Sequence, residues 1–420
     1  MLVLVQARIS GSGPQMHLHH LNRNADPTRP DGIVTGGYAI MVRRGNNRNG
    51  SVALLGLVGL MFLSVVFLAL VNYCWVWTMR VQLQNAADAA SLATVQAFAN
   101  DVLLVGTEPG LSENFLASRE VGVEYAAWNP SLGQPTPLDS NIGNTVPGEL
   151  VLGVIDIPNK IIKPEETAQT NAVRVLLEHV QGKRGPVITI LGGTGILPYT
   201  DVQVASTAYL DHNIIGFRPL GSSPIPVAPI ALPAVSNDPF AAAVTDALRY
   251  DAPRTRFIPG ADGLPEISFT ISLAPAPGTA AVYQTSPRNP ADVLRVGTTK
   301  DDLISLGGEL RLDDSNRLNL PPYVMSRENL VRLQTAFSEV ADGRQIAFAV
   351  LDSVKANAVV VKGWVAARVV RAESVNNDAF IFVLQPTLLV QGSALTDATR
   401  VGINGALVPT TTVGKIRLVE

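Results

Sequence analysis

The chain has 420 residues, 47% of them hydrophobic and 16% charged, with a formal net charge of −3, which leaves room for a core and two or three domains. Before Ser51 six Arg face only Asp26 and Asp31, a surplus of four, so the remainder carries −7. That balance excludes nucleic acid as an expected partner and suits an exported, soluble body.

Residues 1–42 contain HLHHLNRNADPTRPDGIVTGG, turn formers without a sustained period, and read as a disordered cytoplasmic tail. His17, His19 and His20 lie in it without fixed geometry, so no metal is expected there. Met41 directly precedes a basic cluster and would serve as a start with a conventional short n-region.

That cluster is Arg43, Arg44 and Arg48. An uncharged, mostly apolar run follows over 49–79, richest at 52–71, where Gly56 and Gly59 are the only helix-weakening positions. A bilayer core needs roughly 20 apolar helical residues, and a buried core helix rarely runs so long without a charge. A single transmembrane helix is expected, with the lipid bilayer as its first partner. Arginines on the N-terminal flank, with Arg80 alone beyond, place the N-terminus in the cytoplasm and the bulk of the chain outside the cytoplasmic (inner) membrane. Tyr73, Trp75 and Trp77 fall at the outer headgroup level. The apolar core is too long for a cleaved signal peptide, so an uncleaved signal anchor is expected. Cys74, the one cysteine, rules out an intrachain disulfide and reads as a small apolar residue of the helix.

The helix continues into VQLQNAADAASLATVQAFA, strongly helical text in which Ala86, Ala90, Ala93 and Ala97 share one face. Such a small-residue stripe lets another backbone approach closely, either the chain's own domain or a neighbouring subunit. The order of basic cluster, apolar span and the box Leu83, Gln84, Asn85, Ala86, Ala87, Asp88, Ala89 and Ala90 resembles the N-terminal module of the TadE/TadG-like proteins of Flp pilus assembly. The resemblance covers about residues 43–100. It implies a bacterial envelope protein that meets other pilus-assembly or envelope proteins, or further copies of itself, through this helix. Two departures from the family matter. Taking Gly50 as a pilin-like processing site puts Leu55 where Glu is found, so retention of the apolar segment is expected. Where longer members carry the metal loop of a von Willebrand A domain, AVLDSVKAN has Asp352 and Ser353 but Val354 and Ala356 in place of two Ser, so no metal is expected.

Beyond the helix the text predicts an α+β fold with two β-rich units, 101–240 and 263–420, joined by a linker over 241–262. A helix is expected over 112–128 with Ser112 as N-cap, then a loop. Strands are expected in ELVLGVIDI, TNAVRVLLEHV, GPVITIL and DVQVASTAYLDHNIIGF. Pro219, Pro224, Pro226, Pro229 and Pro233 argue against a central strand in the segment that follows. The second unit predicts a strand in LPEISFTISLA, helices in TTKDDLISLGGE and in SRENLVRLQTAFSEVADG with Ser326 as N-cap, and strands through 344–390. The closing segment, with Gly402 and Gly405, reads as a tail or edge strand.

Nothing in the text spells catalysis. ILGGTGILP, with Gly192, Gly193 and Gly195, lacks P-loop and GxGxxG spacing, and Leu197-Pro198 leaves no helix, so it reads as a hairpin turn. His179 and His212 have no nucleophile-elbow Ser or reactive Cys to work with. Asp313, Asp314 and Asn316 lack the spacing of a calcium loop and read as a hairpin. Asp301 and Asp302 read as a helix's first turn. The expectation is a non-enzymatic membrane component or accessory of pilus assembly or a related secretion system, without cofactor. The alternatives are a structural envelope protein on the same anchor and a membrane-tethered hydrolase.

Overall fold

The computed structural model describes residues 49–397 and 412–419, apart from positions 182, 191, 193–198, 235–238, 242, 244 and 275. The N-terminal histidines, Met41, Arg43, Arg44 and Arg48 lie outside the described residues, as do Gly193, Gly195, Leu197, Pro198, Gly402 and Gly405. The chain divides into two compact units, Met1–Phe62 and Leu63–Glu420. The described part of the first is helix, exposed at every side chain from Val52 onward.

The chain is α+β. Helix α1 covers Asn49–Phe98. Its length follows from the absence of Pro and the high helix propensity of its Ala- and Leu-rich text. After one short turn at Val102–Val105 comes α2, Gly110–Trp128. Ser112 is not its cap: the helix opens two residues earlier, after Pro109, and the Ser112 hydroxyl donates to Glu108 at 2.7 Å. Strands β1 (Leu150–Asp156), β2 (Ile161–Pro164), β3 (Ala172–His179) and β4 (Val202–Asp211) follow. Then come β5 (Ile214–Phe217), β6 (Val227–Leu232), β7 (Ile267–Ser272) and β8 (Ala281–Val282). Helix α3 (Pro290–Val296), β9 (Leu318–Leu320) and helix α4 (Arg327–Glu339) lead to β10 (Gln345–Lys355) and β11 (Ala358–Asn376). The last strands are β12 (Ala379–Pro386), β13 (Leu389–Val390), β14 (Ala394–Thr396) and β15 (Val413–Leu418).

The first large sheet has the order β13-β15-β4-β3-β1-β2. Alternation sorts β3 between faces: Val173, Val175 and Leu177 enter a core with α1 and α2, while Ala172 joins a small cluster on the other face. β15 lies between β13 and β4, so residues 413–418 of the closing segment are an interior member of this sheet rather than a tail or an edge. The second large sheet runs β7-β12-β11-β10-β6-β8, with β9 also on β11. It is covered on both faces. Leu330, Leu333 and Phe337 of α4 and Leu294 of α3 pack over Phe348, Val365, Phe380 and Phe382. On the other side, Phe217 of β5 meets Trp364 edge-on at 5.1 Å between ring centroids.

β6 corrects the expectation for the proline-rich segment. All six of its residues are buried, and it pairs parallel to β10 on one side and antiparallel to β8 on the other. Its pairing with β10 shifts register between Ala347 and Ala349, opposite the stretch holding Pro229, so the imide nitrogen is not asked for a ladder bond. One helical expectation changes as well. Asp301–Leu306 is a 3-10 turn, and α3 takes the helical role nearby, its N-cap Asn289 accepting from the Ala291 amide at 2.9 Å. The sequence signal for α3 is Asn-Pro at cap and first position. Ser326 does cap α4, accepting from the Asn329 amide at 3.2 Å. The two strands flanking Asp313 to Arg317 do not pair as a hairpin, because Leu310–Arg311 joins β5 and β9 joins β11.

One charged residue fixes the end of α1 to the second sheet. Asp101 pairs with Arg368 of β11 and accepts from the Thr387 hydroxyl at 2.7 Å and the Leu388 amide at 2.8 Å. Arg368 also donates to the Gly343 carbonyl at 3.0 Å and lies 4.6 Å over the Tyr250 ring. Asp101→Ala would leave a nearly buried guanidinium without its carboxylate. It should lower unfolding stability by on the order of 3 kcal/mol, against less than about 1 kcal/mol for Arg371→Ala at the exposed pair with Glu373. Denaturant titration of the full chain in detergent checks both.

Candidate functional site

Helix α1 changes environment along its length. Residues 52–70 expose every side chain, including Leu63 and Phe67. Val71 and Asn72 are half-buried, and Tyr73, Trp75 and Trp77 are exposed again. From Met79 one side of the helix is buried: Met79, Leu83, Ala86, Ala87, Ala90, Val95 and Phe98 form a stripe at helical spacing. The helix is long and apolar enough to cross a membrane.

The box residues divide accordingly. Leu83, Ala86, Ala87 and Ala90 enter the core that also holds Phe115, Leu150, Val175 and Val204. Gln84 bridges outward: its amide donates to Asp88 at 2.8 Å and to the Ala205 carbonyl of β4 at 3.2 Å. Asp88 and Ala89 are half-buried, and Asn85 is exposed. Ala93 is buried at the edge of the stripe and Ala97 is half-buried. At the two ends of the box, the Ser91 and Ser206 hydroxyls meet at 3.0 Å, and Gln82 accepts from the Leu132 amide at 2.9 Å. Of the two neighbours the stripe could serve, the chain's own body occupies it at Ala86 and Ala90.

The sequence reading missed the partner on α2. A Cβ at Gly122 would come within 2.2 Å of the Thr94 hydroxyl and 3.1 Å of the Leu150 side chain. Gly122 and Ala90 are the small residues that let the two helices close up, and an isolated Gly inside SREVGVEY was the available signal. It also missed the contact at Asn72, whose side-chain oxygen accepts from the Ile190 amide at 3.0 Å.

Asp302, Asp313 and Asp352 are engaged in contacts with the chain's own residues. Asp302 is not merely first-turn charge: it is buried and paired with Arg288. Burial opposes its charge, but hydrogen bonds from Arg288, Ser286 and Thr299 outweigh that and hold its carboxyl down to about 2. Asp313 accepts from the Ser315 and Arg317 amides at 2.8 and 2.9 Å, closing a turn on itself. Asp352 pairs with Arg317 at 3.2 Å. Burial lowers the imidazole of His179, at the end of β3, against a hydrogen bond with Gly185. Among the described residues no three His, Cys, Asp or Glu side chains gather where a metal could be held.

The arrangement defines a protein whose apolar helix doubles as the spine of an α+β body. Residues 50–97 match the family model described as Flp pilus-assembly TadE/G-like, a span that falls within α1. Comparison with curated proteins and with solved structures gave no match.

Leu at position 90 or 122 would overpack the closest part of this contact. Ala90→Leu and Gly122→Leu should each lower stability by about 1 to 3 kcal/mol, while exposed Asn85→Leu should stay within about 0.5 kcal/mol of the parent. Equal midpoints for all three in chemical denaturation would show the stripe to be helix-forming text only.

Proposed function

We propose that the protein is a single-pass, non-enzymatic component of Flp pilus assembly or a related secretion system, anchored in the cytoplasmic membrane with the bulk of the chain outside. The observation that carries this reading is the match of residues 50–97 to the TadE/G-like module, on a helix that exposes its apolar run and buries its box. An apolar side chain left in water forgoes about 1.5 to 3 kcal/mol for a Leu, Val or Phe, so a whole exposed run calls for a lipid surrounding. The arginine surplus before Ser51 supports a cytoplasmic N-terminus. Because the body occupies the buried face of the box, other assembly proteins would meet this one through the apolar turns at 52–71 or through the body's surface.

Photocrosslinking from Leu63 in intact membranes tests the partnership. Capture of other pilus-assembly or secretion proteins is expected, and capture of lipid alone would count against it. A reporter active only in the cytoplasm, fused after Glu420, should stay silent while one active only outside works; the reverse would invert the orientation. Leu63→Arg should cost about 2.5 to 3.5 kcal/mol of insertion free energy and move part of the protein out of the membrane fraction. Full retention after alkaline extraction would point to another anchor.

A further inference from the structure

The sixteen residues at 185–200 contain no Asp, Glu, Lys or Arg. Their described part is a two-strand ribbon, Val187–Ile188 against Tyr199–Thr200. Alternation sets its two faces apart. Val187 is rooted in the core beneath α1, whereas Ile188 and Tyr199 lie directly opposite each other and are 67% and 60% exposed. Ile190, just beyond, is 47% exposed. Lone exposed apolar side chains are ordinary, but this group sits at a defined height on the anchor. The Ile190 amide donates to Asn72 at 3.0 Å. At 1.5 Å per residue, the apolar turns 52–71 span about 30 Å, the thickness of a bilayer's hydrocarbon core. Asn72 is the next residue, and Trp75 and Trp77 rise through the headgroup layer above it.

We propose that this ribbon is a second membrane contact, in which Ile188, Ile190 and Tyr199 enter the outer headgroup layer of the bilayer that α1 crosses. The proposal rests on the anchor reading above. A tyrosine beside two isoleucines suits that layer, which takes an apolar ring with a polar tip. Lys183 and Arg184 sit at the ribbon's base and pair with Glu178 and Glu149, so their charges are held by the body.

The test uses the full chain with Cys74→Ser in phosphatidylethanolamine–phosphatidylglycerol vesicles. Single cysteines are placed by Ile188→Cys, Tyr199→Cys, Trp77→Cys, Leu63→Cys and Val354→Cys, each labelled with an environment-sensitive fluorophore. In the vesicles the probes at 188 and 199 should be blue-shifted relative to exposed Val354, and lipids with a nitroxide near the headgroup should quench them as strongly as the probe at 77 and much more than that at 354. If 188 and 199 behave like 354 while the probe at 63 is quenched by deep nitroxides, the proposal is overturned and the anchor stands. If 63 is not quenched either, both fall. A blue shift at 188 without lipid quenching would mean that protein covers the ribbon, which also overturns it.

Discussion

Alanine at 86, 87 and 90 sets how closely α1 can approach the first sheet and α2, and the body is arranged around that distance. With larger side chains the helix would stand off from β3 and β4, and the Ser91–Ser206 contact and the Gln84 bridge to Ala205 would open. Gly122 answers Ala90 from the other helix, where only a hydrogen fits against Thr94. The close approach costs little in helix propensity, because alanine is the best helix former. One residue type therefore serves both local structure and packing.

The same helix carries the consequence across the body. Its buried stripe ends at Phe98 and Ala99, and Asp101 then clasps Arg368, Thr387 and Leu388. Strand β15 comes from the far end of the chain to pair with β4, over residues 415–418 against 208–211. Docking of the box thus bears on the first sheet directly and on the second through the contacts of Asp101 with Arg368, Thr387 and Leu388. The box is therefore held within the body's own core. In the function proposed above, that makes the box an intramolecular brace as well as a family signature.

Long, strongly patterned text was legible. The apolar run, the alanine box and the α4 helix with its Ser326 cap follow from composition, propensity and capping, which are local. So do β3, where Val173 and Val175 alternate with Ala172 and Arg174, and β10, β11 and β12, whose Val-, Ile- and Phe-bearing text suits a half-buried sheet. What escaped depended on partners distant in sequence. Pro229 inside a buried strand falls where β6 itself bulges, between Val227 and Ala231 opposite Ala347 and Ala349 of β10, and nothing near Pro229 announces that. The interior place of β15 depends on β13 and β4, and the closing text reads equally well as an edge. Gly122 looked like a weak point in a helix until Thr94 was seen against it. The candidate site was half legible: the box residues were evident, but which neighbour filled their small face was a tertiary question.

Hydrogen–deuterium exchange on the full chain in a bilayer tests the brace most directly. Amides at 86–98 should exchange as slowly as those of β3 and β4 and become labile together with them as denaturant rises, since they share one core. Exchange at 86–98 that is fast and independent of β3 and β4, while 52–71 stay protected by lipid, would mean that the box is a free stalk and the body hangs from it loosely.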